Sequence, residues 1–405
     1  MIGLAVAVEV ESMATSTVAE HRGHDLTQLV WLGVNPNASH VLFVVNTYPP
    51  RLGGLEQHVS QLATHMVRLG HAASVVTLGP PIGESMEEGV AVRRLRGRFA
   101  IASVISFPPI GTARRIAAAY RESGVSAVST HTRFFPMSFV GLSVARRLGV
   151  PVVHTEHGSG FVRGVSPLVA LGSRLVDLTV GRRILRRADA VLAVSESVAA
   201  FVLRLAGRHA EIFYNAIEAP PESANPVPAT SRFVFVGRLV PGKGWDAFLD
   251  AIAALKADGR LGGASAMLLG DGPDAAAARA RIDALGLAGT VELRGHVPRA
   301  EVDRALAGAV LVNPTRLAEG FQTSLLEALA AGSQMVTYPV PGAEALLKEG
   351  APVRIAQRNP SNLAEQMSAA LADPMPAFPR EGLARWTWPQ RARQYMRVVD
   401  RLLAH

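Results

Sequence analysis

The feature that most constrains the fold is a repeated order of strand and helix. In the first half of the chain, the apolar strands HVLFVVN, ASVVTLG, AVST, VPVVHT and AVLAVS are separated by stretches with helical periodicity. Strands that are joined through helices run parallel, and a parallel sheet is covered by helices on both faces. The order therefore predicts a doubly wound α/β domain.

A proline-rich segment divides the chain into two such domains. Residues 218–231, EAPPESANPVPATS, have the composition of a linker, and RFVFVG, ASAMLLG, TVELRG, AVLVNP and SQMVTYPV follow with helices between them. We expect Rossmann-like domains at 41–217 and 232–388 that face each other across a cleft. Residues 1–40 fit neither domain and are predicted to be an extension. Residues 389–405 predict an amphipathic helix that packs back on the first domain.

Composition excludes several classes of site. The chain has no cysteine, which rules out disulfides, zinc–thiolate centres and thiol nucleophiles. It has no run of 18 apolar residues, so no membrane-spanning helix is predicted. The opening MIGLAVAVEVESM lacks a basic region, which argues against a secretory signal and predicts a cytoplasmic protein.

Basic residues are concentrated in the first half. Residues 93–147 hold ten arginines and one acid, Glu122, within a chain of net charge +8. Such a stretch suits an anionic surface or substrate. An arginine-biased composition explains it equally well, because the whole chain has three lysines. Aromatic residues are not interleaved with the arginines and no nucleic-acid-binding motif is present, so we expect no nucleic acid partner.

Two glycine-containing loops are candidates for binding phosphate. GRLVPGKG, residues 237–244, carries Arg238 and Lys243 after a strand, where two cations suit a diphosphate; a solvated turn is the alternative. PPRLGG places Gly53 and Gly54 between a strand and a helix, where bare backbone approaches an anion or forms a tight turn. The fingerprints GxGxxG and GxxxxGK[ST] are absent, which disfavours dinucleotide and P-loop sites.

Acidic residues and a histidine follow other strands. In EGFQTSLLEALAAG, Glu319 lies in a loop that enters a helix and Glu327 lies about one turn inside it. A helix start is an anion site, so the two acids are candidates to flank a phosphate; a helix-start acid and a solvated surface acid are the alternative. VVHTEHGSG places Glu156 and His157 at a strand end, exposed to the cleft, although a lone histidine there is more often structural.

Taken in order, these segments resemble a known family. PPRLGG, TEHG, RADAVLAVS, YNAIE, VGRLVPGKG, LLGDGPD, LRGHVP and EGFQTSLLEALAAG are similar to motifs of the retaining glycosyltransferases of family 4, which have the GT-B fold. The resemblance covers residues 41–405. It implies transfer of a sugar from a UDP- or GDP-linked donor to an acceptor hydroxyl with retained anomeric configuration. A non-catalytic nucleotide-sugar binding protein, a phosphorylase and an epimerase remain alternatives on the same fold.

The resemblance also implies roles for individual residues. It assigns the acceptor to residues 41–217 and the nucleotide sugar to residues 232–388. Arg238 and Lys243 are similar to the pair that holds the donor diphosphate, and Glu327 to the acid that accepts ribose hydroxyls. The implied catalytic residues are Arg238, Lys243, Glu319 and His157. The implied donor-binding residues are Gly54, Gly237, Gly295, His296, Val297, Gly320, Phe321, Gln322, Thr323 and Glu327.

Three positions depart from the family pattern. Gly242 stands where an acid commonly precedes the lysine, Gln322 and Thr323 replace a glycine and an aliphatic residue, and residues 1–40 are additional. The second departure leaves the donor sugar open. The chain has no D-x-D sequence and no cysteine, and the motif TEHG has a single histidine, so we expect no metal and no other cofactor at the site.

The acceptor is less constrained than the donor. The helical stretch VSPLVALGSRLVDLTVGRRILRRAD carries arginines 174, 182, 183, 186 and 187. This composition fits either a helix that lies on the anionic inner face of a membrane or a helix that covers the sheet. A small soluble molecule and a lipid-linked molecule therefore both remain candidate acceptors.

Overall fold

The structure is a computed structural model that describes residues 38–51, 53–101, 105–161, 167–219, 230–317 and 320–404. The predicted extension up to residue 37, residues 220–229 of the predicted linker, and Glu319 lie outside the described residues. The described residues form two α/β units, each built on its own sheet. This is the predicted fold class.

The first sheet has the strand order β10-β9-β8-β7-β1-β2-β4-β3 within the described part of the chain. The strands are β1 (His40–Val44), β2 (Ala72–Leu78), β3 (Gly83–Glu87), β4 (Val90–Leu95), β7 (Val125–His131), β8 (Val152–Glu156), β9 (Ala190–Ala193) and β10 (Glu211–Ile212), and β5 (Arg98–Ile101) and β6 (Ile105–Phe107) form a separate hairpin. Its strands pair in parallel except at the edge, where β3 is antiparallel to β4. The expectation of a wholly parallel sheet is therefore wrong at this edge.

Helices cover both faces of the first sheet, as its continuous apolar strands require. They are α1 (Gly54–Arg68), α2 (Thr112–Ala119), α3 (Pro136–Leu148), α4 (Pro167–Val176), α5 (Arg182–Arg187) and α6 (Glu196–Ala206), with a π-helix at Asp177–Gly181 between α4 and α5. Successive residues of β1 face opposite sides. Phe43 packs with α1, whereas Val44 packs with α2, α3, α5 and α6.

The second sheet is parallel throughout its described strands, in the order β13-β12-β11-β14-β15-β16. The strands are β11 (Arg232–Val236), β12 (Ser265–Leu269), β13 (Val291–Gly295), β14 (Val310–Asn313), β15 (Gln334–Thr337) and β16 (Val353–Ile355). The helices are α7 (Trp245–Ala257), α8 (Ala275–Ala284), α9 (Arg299–Leu306), α10 (Thr323–Ala330), α11 (Ala343–Lys348), α12 (Pro360–Ala372) and α13 (Arg380–Leu383). The strand order reverses between β11 and β14, and ligands of such sheets bind beyond the strand ends at this point.

The last helix of the chain returns to the first domain. It is α14 (Trp388–Leu403), which follows a short 3-10 helix at Ala384–Trp386 and has a proline in its first turn. Trp388 and Tyr395 share one apolar core with Phe43 and Phe213. The second unit is therefore tied to the first by both residues 213–219, which we call the crossing segment, and the closing helix. No helix among the described residues is long and apolar enough to cross a membrane.

Candidate active site

A cavity of about 380 Å³ lies between the two domains. The first domain and the crossing segment contribute Gly54 and Asn215 to its lining, and the second domain contributes Val236, Gly237, Arg238, Val240, Lys243, Leu317, Gly320, Phe321, Gln322, Thr323, Ser324 and Glu327. The cavity lies beyond the carboxyl ends of β11 and β14, where the strand order reverses. The structure thus brings most of the predicted donor residues to one place.

A larger cavity, of about 690 Å³, lies elsewhere in the second domain. It borders Arg232, Ser265 and Thr290, at or beside the amino ends of β11, β12 and β13. Its lining includes Arg294, which pairs with Glu301 in the same cavity. It contains none of the residues predicted for the site, so we assign the site to the smaller interdomain cavity.

The loop of Arg238 and Lys243 is held by close backbone packing. Gly270 has a positive φ of 141°, and a Cβ there would lie 1.8 Å from the carbonyl oxygen of Gly237. The stem of Lys243 covers Gly237, since a Cβ at Gly237 would lie 2.8 Å from Lys243 Cε. The glycine after β12 therefore lets this loop pack closely. Arg238 is exposed and Lys243 is half-buried, both along the cavity.

Helix α10 points its start at the same cavity. Gln322 occupies the N-cap position, and no side chain caps the helix there. The N–H groups of Thr323 and Ser324 begin the helix and belong to residues that line the cavity. A helix start of this kind favours an anion. Glu327 is the fifth residue of the helix and lines the cavity too, as the sequence predicts, whereas Glu319 is not described.

The carboxylate of Glu327 is not a solvated surface group. It accepts a hydrogen bond from Arg299, and its side chain is 14% exposed. Arg299 also donates to Asp303 over 2.8 Å. Burial raises the pKa of Glu327 above its usual value, whereas the guanidinium of Arg299 favours the ionised form. A ligand hydroxyl that reaches Glu327 must share this carboxylate with Arg299. Sequence reasoning missed Arg299, whose one signal is its position two residues after the GHV motif.

Three predicted residues do not reach the cavity. Gly295 ends β13 and His296 and Val297 follow it, and none of the three is in the cavity lining among the described residues. The carbonyl oxygen of Gly295 accepts a hydrogen bond from the N–H of Gly270 over 2.8 Å. The segment therefore lies next to Gly270, which itself packs on Gly237.

The side chain of Gln322 is turned into the domain. It is 7% exposed, and its amide oxygen accepts a hydrogen bond from Asn313 at the end of β14. Asn313 also donates to the hydroxyl of Thr337 over 3.4 Å. Gln322, which departs from the family pattern, thus makes a structural contact. The amide of Gln322 joins the loop before α10 to the sheet.

On the first-domain side, Glu156 is fully buried, and the expectation that it is exposed to the cleft is wrong. Its carboxylate accepts hydrogen bonds from the N–H groups of His157 and Gly158 and pairs with Arg133 over 2.9 Å. Although burial opposes ionisation, Arg133 and the neighbouring hydrogen bonds lower the pKa of Glu156 to about 2. Arg133 also pairs with Asp177 over 2.9 Å. The missing information was the position of Arg133, which sequence order does not reveal.

His157 is half-buried and belongs to a group of three histidines. His131 Nδ1 lies 3.1 Å from His157 Nε2, and the rings of His58 and His157 have centroids 4.8 Å apart. Burial lowers the pKa of His58 to about 4 and those of His131 and His157 well below their usual value. The three rings are therefore neutral near pH 7.

The histidine group corrects one sequence argument. The ligand nitrogens of His58, His131 and His157 lie within 4.8 Å of one another. Neutral imidazole is a common ligand of transition metals. The argument from a single histidine does not hold, because the fold gathers two further histidines around His157. These three side chains are the residues that could hold a metal here.

Asn215 connects the two sides of the cleft. Its side-chain oxygen accepts from Nδ1 of His58 over 2.9 Å, and its amide nitrogen donates to the carbonyl oxygen of Phe321 over 2.6 Å. The domains also touch at Gly320, where an added Cβ would lie 2.6 Å from the carbonyl oxygen of His157. Sequence reasoning noted Asn215 in YNAIE but gave it no role.

The arginine-rich stretch is not a single surface patch. Arg93 and Arg94 of β4 pair with Glu84 and Glu87 of β3. Arg94 and Arg133 have side chains that are 5% and 1% exposed. These arginines contribute to the fold, so they are not available to an anionic partner.

Solved glycosyltransferases share this arrangement of two domains. Sucrose-phosphate synthase from Thermosynechococcus elongatus matches with a TM-score of 0.70 at 19% identity, over 91% of this chain and 99% of that chain. HepE from Anabaena, solved in complex with UDP, matches with a TM-score of 0.68 at 17% identity, over 90% and 100% of the two chains. The protein therefore has the GT-B fold.

Family models match both halves of the chain. The model for Glycosyltransferase Family 4 matches residues 52–219, and the model for Glycosyl transferases group 1 matches residues 230–373. The chain is therefore a glycosyltransferase that combines a family 4 domain with a group 1 domain. One relative, a phosphatidylinositol N-acetylglucosaminyltransferase from Arabidopsis thaliana, is 26% identical over 388 residues, which cover 91% of this chain and 83% of that protein.

Proposed function

We propose that this glycosyltransferase takes a sugar from a UDP- or GDP-linked donor and transfers it to an acceptor hydroxyl with retention of anomeric configuration. The observation that carries the proposal is the cavity, which is lined by Arg238, Lys243, the start of α10 and Glu327. Cations and a helix start suit a diphosphate, and a carboxylate suits ribose hydroxyls. The complexes of HepE with UDP and with UDP-glucose support a nucleotide-sugar donor.

The chemistry follows from where charge develops. As the bond between the sugar and the diphosphate breaks, negative charge grows on the diphosphate and positive charge on the sugar ring. Arg238 and Lys243 line the cavity and, in this proposal, stabilise that negative charge. In this proposal the leaving phosphate helps to deprotonate the acceptor on the same face of the sugar, which retains the configuration.

We assign no metal to the diphosphate. Two cationic side chains and the N-terminus of α10 already supply positive charge at the cavity. The three histidines lie on the first-domain side, near the loop of His157, and in this proposal they remain neutral hydrogen-bonding groups. His157 then lies beside the transferred sugar, and Glu319 is the acid near that sugar, as the family resemblance implies.

The proposed acceptor is carried by a lipid rather than free in solution. The Arabidopsis relative carries phosphatidylinositol in its name, which supports a lipid-linked acceptor. In this proposal the first domain receives the acceptor and the protein works at an anionic inner membrane surface. A small soluble acceptor is the alternative.

A panel of donors tests the donor and the stereochemistry together. The wild-type protein is incubated with UDP- and GDP-linked sugars, and mass spectrometry measures transferred or hydrolysed sugar. Proton NMR of the product reports the anomeric configuration. We expect one donor to turn over with retention, and Arg238→Ala to lose that turnover.

The remaining outcomes separate the alternatives. A donor that binds but never turns over would indicate a non-catalytic binding protein. Formation of a sugar phosphate from inorganic phosphate would indicate a phosphorylase, and conversion of the bound sugar to its isomer would indicate an epimerase. An inverted product would contradict the proposed stereochemistry alone.

A further inference from the structure

One helical segment of the first domain is unusually exposed. We call residues 167–187, which comprise α4, the π-helix and α5, the surface helix. From residue 169 to 187 its buried residues are Asp177, Gly181, Ile184 and Leu185. Its exposed large apolar residues are Val169 (53%), Leu171 (68%), Leu175 (63%), Val176 (39%), Leu178 (45%) and Val180 (39%). Only the α5 end therefore covers the sheet, and the α4 end presents apolar side chains outward.

The exposed charges of the surface helix have one sign. Its arginines at 174, 182, 183, 186 and 187 are all exposed. Its acid, Asp177, is buried against Arg133 and is neutralised there. The outward surface thus combines leucine and valine with arginine and has no exposed acid within residues 169–187.

We propose that the surface helix binds the surface of an anionic lipid bilayer. Apolar side chains of such a helix enter the boundary between headgroups and acyl chains, and arginines remain with the phosphates. A second copy of the chain is a poorer occupant. A symmetric interface would place the five arginines of one copy near those of the other. Because the exposed arginines are positively charged, they favour a negatively charged partner, and an anionic membrane is such a partner.

The side chain of Arg133 also joins the surface helix to the loop of His157. Arg133 pairs with Asp177 in the π-helix and with Glu156, which in turn accepts the N–H of His157. Arg133 also donates to the carbonyl oxygen of Gly160 over 3.0 Å. These bonds fix the lipid-binding face relative to the cleft. A headgroup carried by the bilayer would thus approach the cleft beside His157. This inference deepens the proposed function, and it rests on that function only for the identity of the acceptor.

Vesicle binding tests the docking surface without any donor or sugar transfer. The full chain is mixed with vesicles of phosphatidylglycerol and phosphatidylcholine in equal parts, and with vesicles of phosphatidylcholine alone, and pelleted protein is measured. We expect binding to the anionic vesicles that weakens as salt is raised, and little binding to the neutral ones.

Substitutions locate the binding face. Leu171→Gln with Leu175→Gln should weaken vesicle binding about tenfold for each leucine, because apolar area no longer leaves water. Arg182→Gln with Arg183→Gln should weaken it about fivefold for each arginine. The matched controls lie in the second domain. Leu347→Gln removes a leucine that is 45% exposed, and Arg279→Gln with Lys348→Gln removes two exposed cations, and both should bind as wild type.

A second measurement distinguishes loss of binding from misfolding of these variants. Leu175→Trp places a fluorophore on the same face, and brominated lipids should quench it if the helix enters the bilayer boundary. The proposal would be overturned if the wild-type protein does not bind anionic vesicles. It would also be overturned if the leucine and arginine variants of the surface helix bind them as strongly as wild type. If the wild-type protein forms dimers and does not bind vesicles, and the dimers dissociate when Leu171→Gln is combined with Leu175→Gln, the face would be assigned to a second copy of the chain. Donor binding measured without vesicles reports separately on the proposed function.

Discussion

Arg238 is exposed at the interdomain cavity, whereas Arg133, on the first-domain side of the cleft, is 1% exposed and pairs with two buried acids. The first arginine stands on a glycine loop directly after a strand, where ligands of parallel sheets bind. The second is held inside the domain between Glu156 and Asp177. The same residue type therefore serves a ligand on one side of the cleft and the fold on the other.

The contrast extends to the surroundings of each arginine. On the second-domain side, a helix start without a side-chain cap and a cationic loop line the cavity. On the first-domain side, neutral histidines and buried ion pairs hydrogen-bond mainly to one another. Substitutions on the two sides should therefore fail in different ways.

The largest effect is expected on stability, at Arg133. Arg133→Met leaves the carboxylates of Glu156 and Asp177 buried without their cation, so we expect a loss of about 3–5 kcal/mol in the free energy of unfolding. Arg238→Ala is the matched control and should change it by less than about 0.5 kcal/mol. Urea unfolding followed by fluorescence measures both. Equal stability of the two variants would remove the contrast.

The next effect is expected on turnover, at the cavity. Arg238→Ala and Lys243→Ala should each lower kcat by about 100-fold or more, because both side chains act on charge that develops in the transition state. Their unfolding free energies should stay close to wild type. Arg260→Ala, which removes an exposed arginine distant from the cavity lining, is the control and should keep full activity. A near-normal kcat in either cavity variant would exclude its proposed role.

A smaller effect is expected from pH, again on the first-domain side. The folded pKa of His58 is about 4 against an ordinary 6.5, so the unfolded chain binds more protons between these values. Stability then rises with pH across this window and falls as pH is lowered. For His58 we expect a loss of about 1 kcal/mol in the free energy of unfolding per pH unit as the pH falls from 6.5 towards 4. Glu156, with a pKa of about 2, contributes no loss above pH 5.

Urea unfolding at pH 7.5, 6.0 and 5.0 measures this dependence. His58→Gln should reduce the slope of the unfolding free energy against pH, because about one proton fewer is taken up on unfolding in this window. Stability that is constant or higher at pH 5.0 would mean that the histidines are not held neutral.

The smallest expected effect is that of EDTA, which should leave turnover unchanged. Arg238, Lys243 and the start of α10 supply the positive charge that a metal would otherwise supply. Initial rates are compared in excess EDTA and after addition of magnesium, manganese or zinc. A loss of turnover in EDTA that magnesium or manganese restores would show that the assignment of the positive charge to Arg238, Lys243 and α10 is wrong. Restoration by zinc alone would point to the histidine group instead.

Much of the fold could be predicted because periodicity marks buried strands and helices. Some of the strands that were missed are ones that periodicity does not mark. Strand β3 is an exposed edge with two glutamates, GESME, so it lacks the apolar run of an inner strand. Strands β5 and β6 pair only with each other among the described strands and stand apart from both larger sheets.

The donor side of the site could be predicted because its residues lie beside glycines that follow strands. The residues that were missed depend on partners distant in the sequence. Arg133 is 23 residues from Glu156 and 44 from Asp177, and Asn215 is 157 residues from His58 and 106 from Phe321. Local pattern carries no information on such pairs. They appear when the fold brings the segments together.

The central claim is that the cavity holds a nucleoside diphosphate, with Arg238 and Lys243 at the diphosphate and Glu327 at the ribose. Calorimetric titration tests it with the free diphosphate of whichever nucleotide binds, against wild type, Glu327→Gln, Arg238→Ala and Glu319→Gln. A charge-assisted hydrogen bond contributes about 1.5–3 kcal/mol, so Glu327→Gln should lose about tenfold to a hundredfold in affinity. Arg238→Ala should also bind more weakly. Glu319→Gln, assigned to the transferred sugar, should bind as wild type.

The same titration with the 2′,3′-dideoxy form of that diphosphate isolates the ribose contact. Without the ribose hydroxyls, Glu327→Gln and wild type should bind alike, whereas Arg238→Ala should remain weaker than both. Equal affinity of Glu327→Gln and wild type for the normal diphosphate, or a larger loss in Glu319→Gln than in Glu327→Gln, would contradict the assignment of the two ends of the cavity.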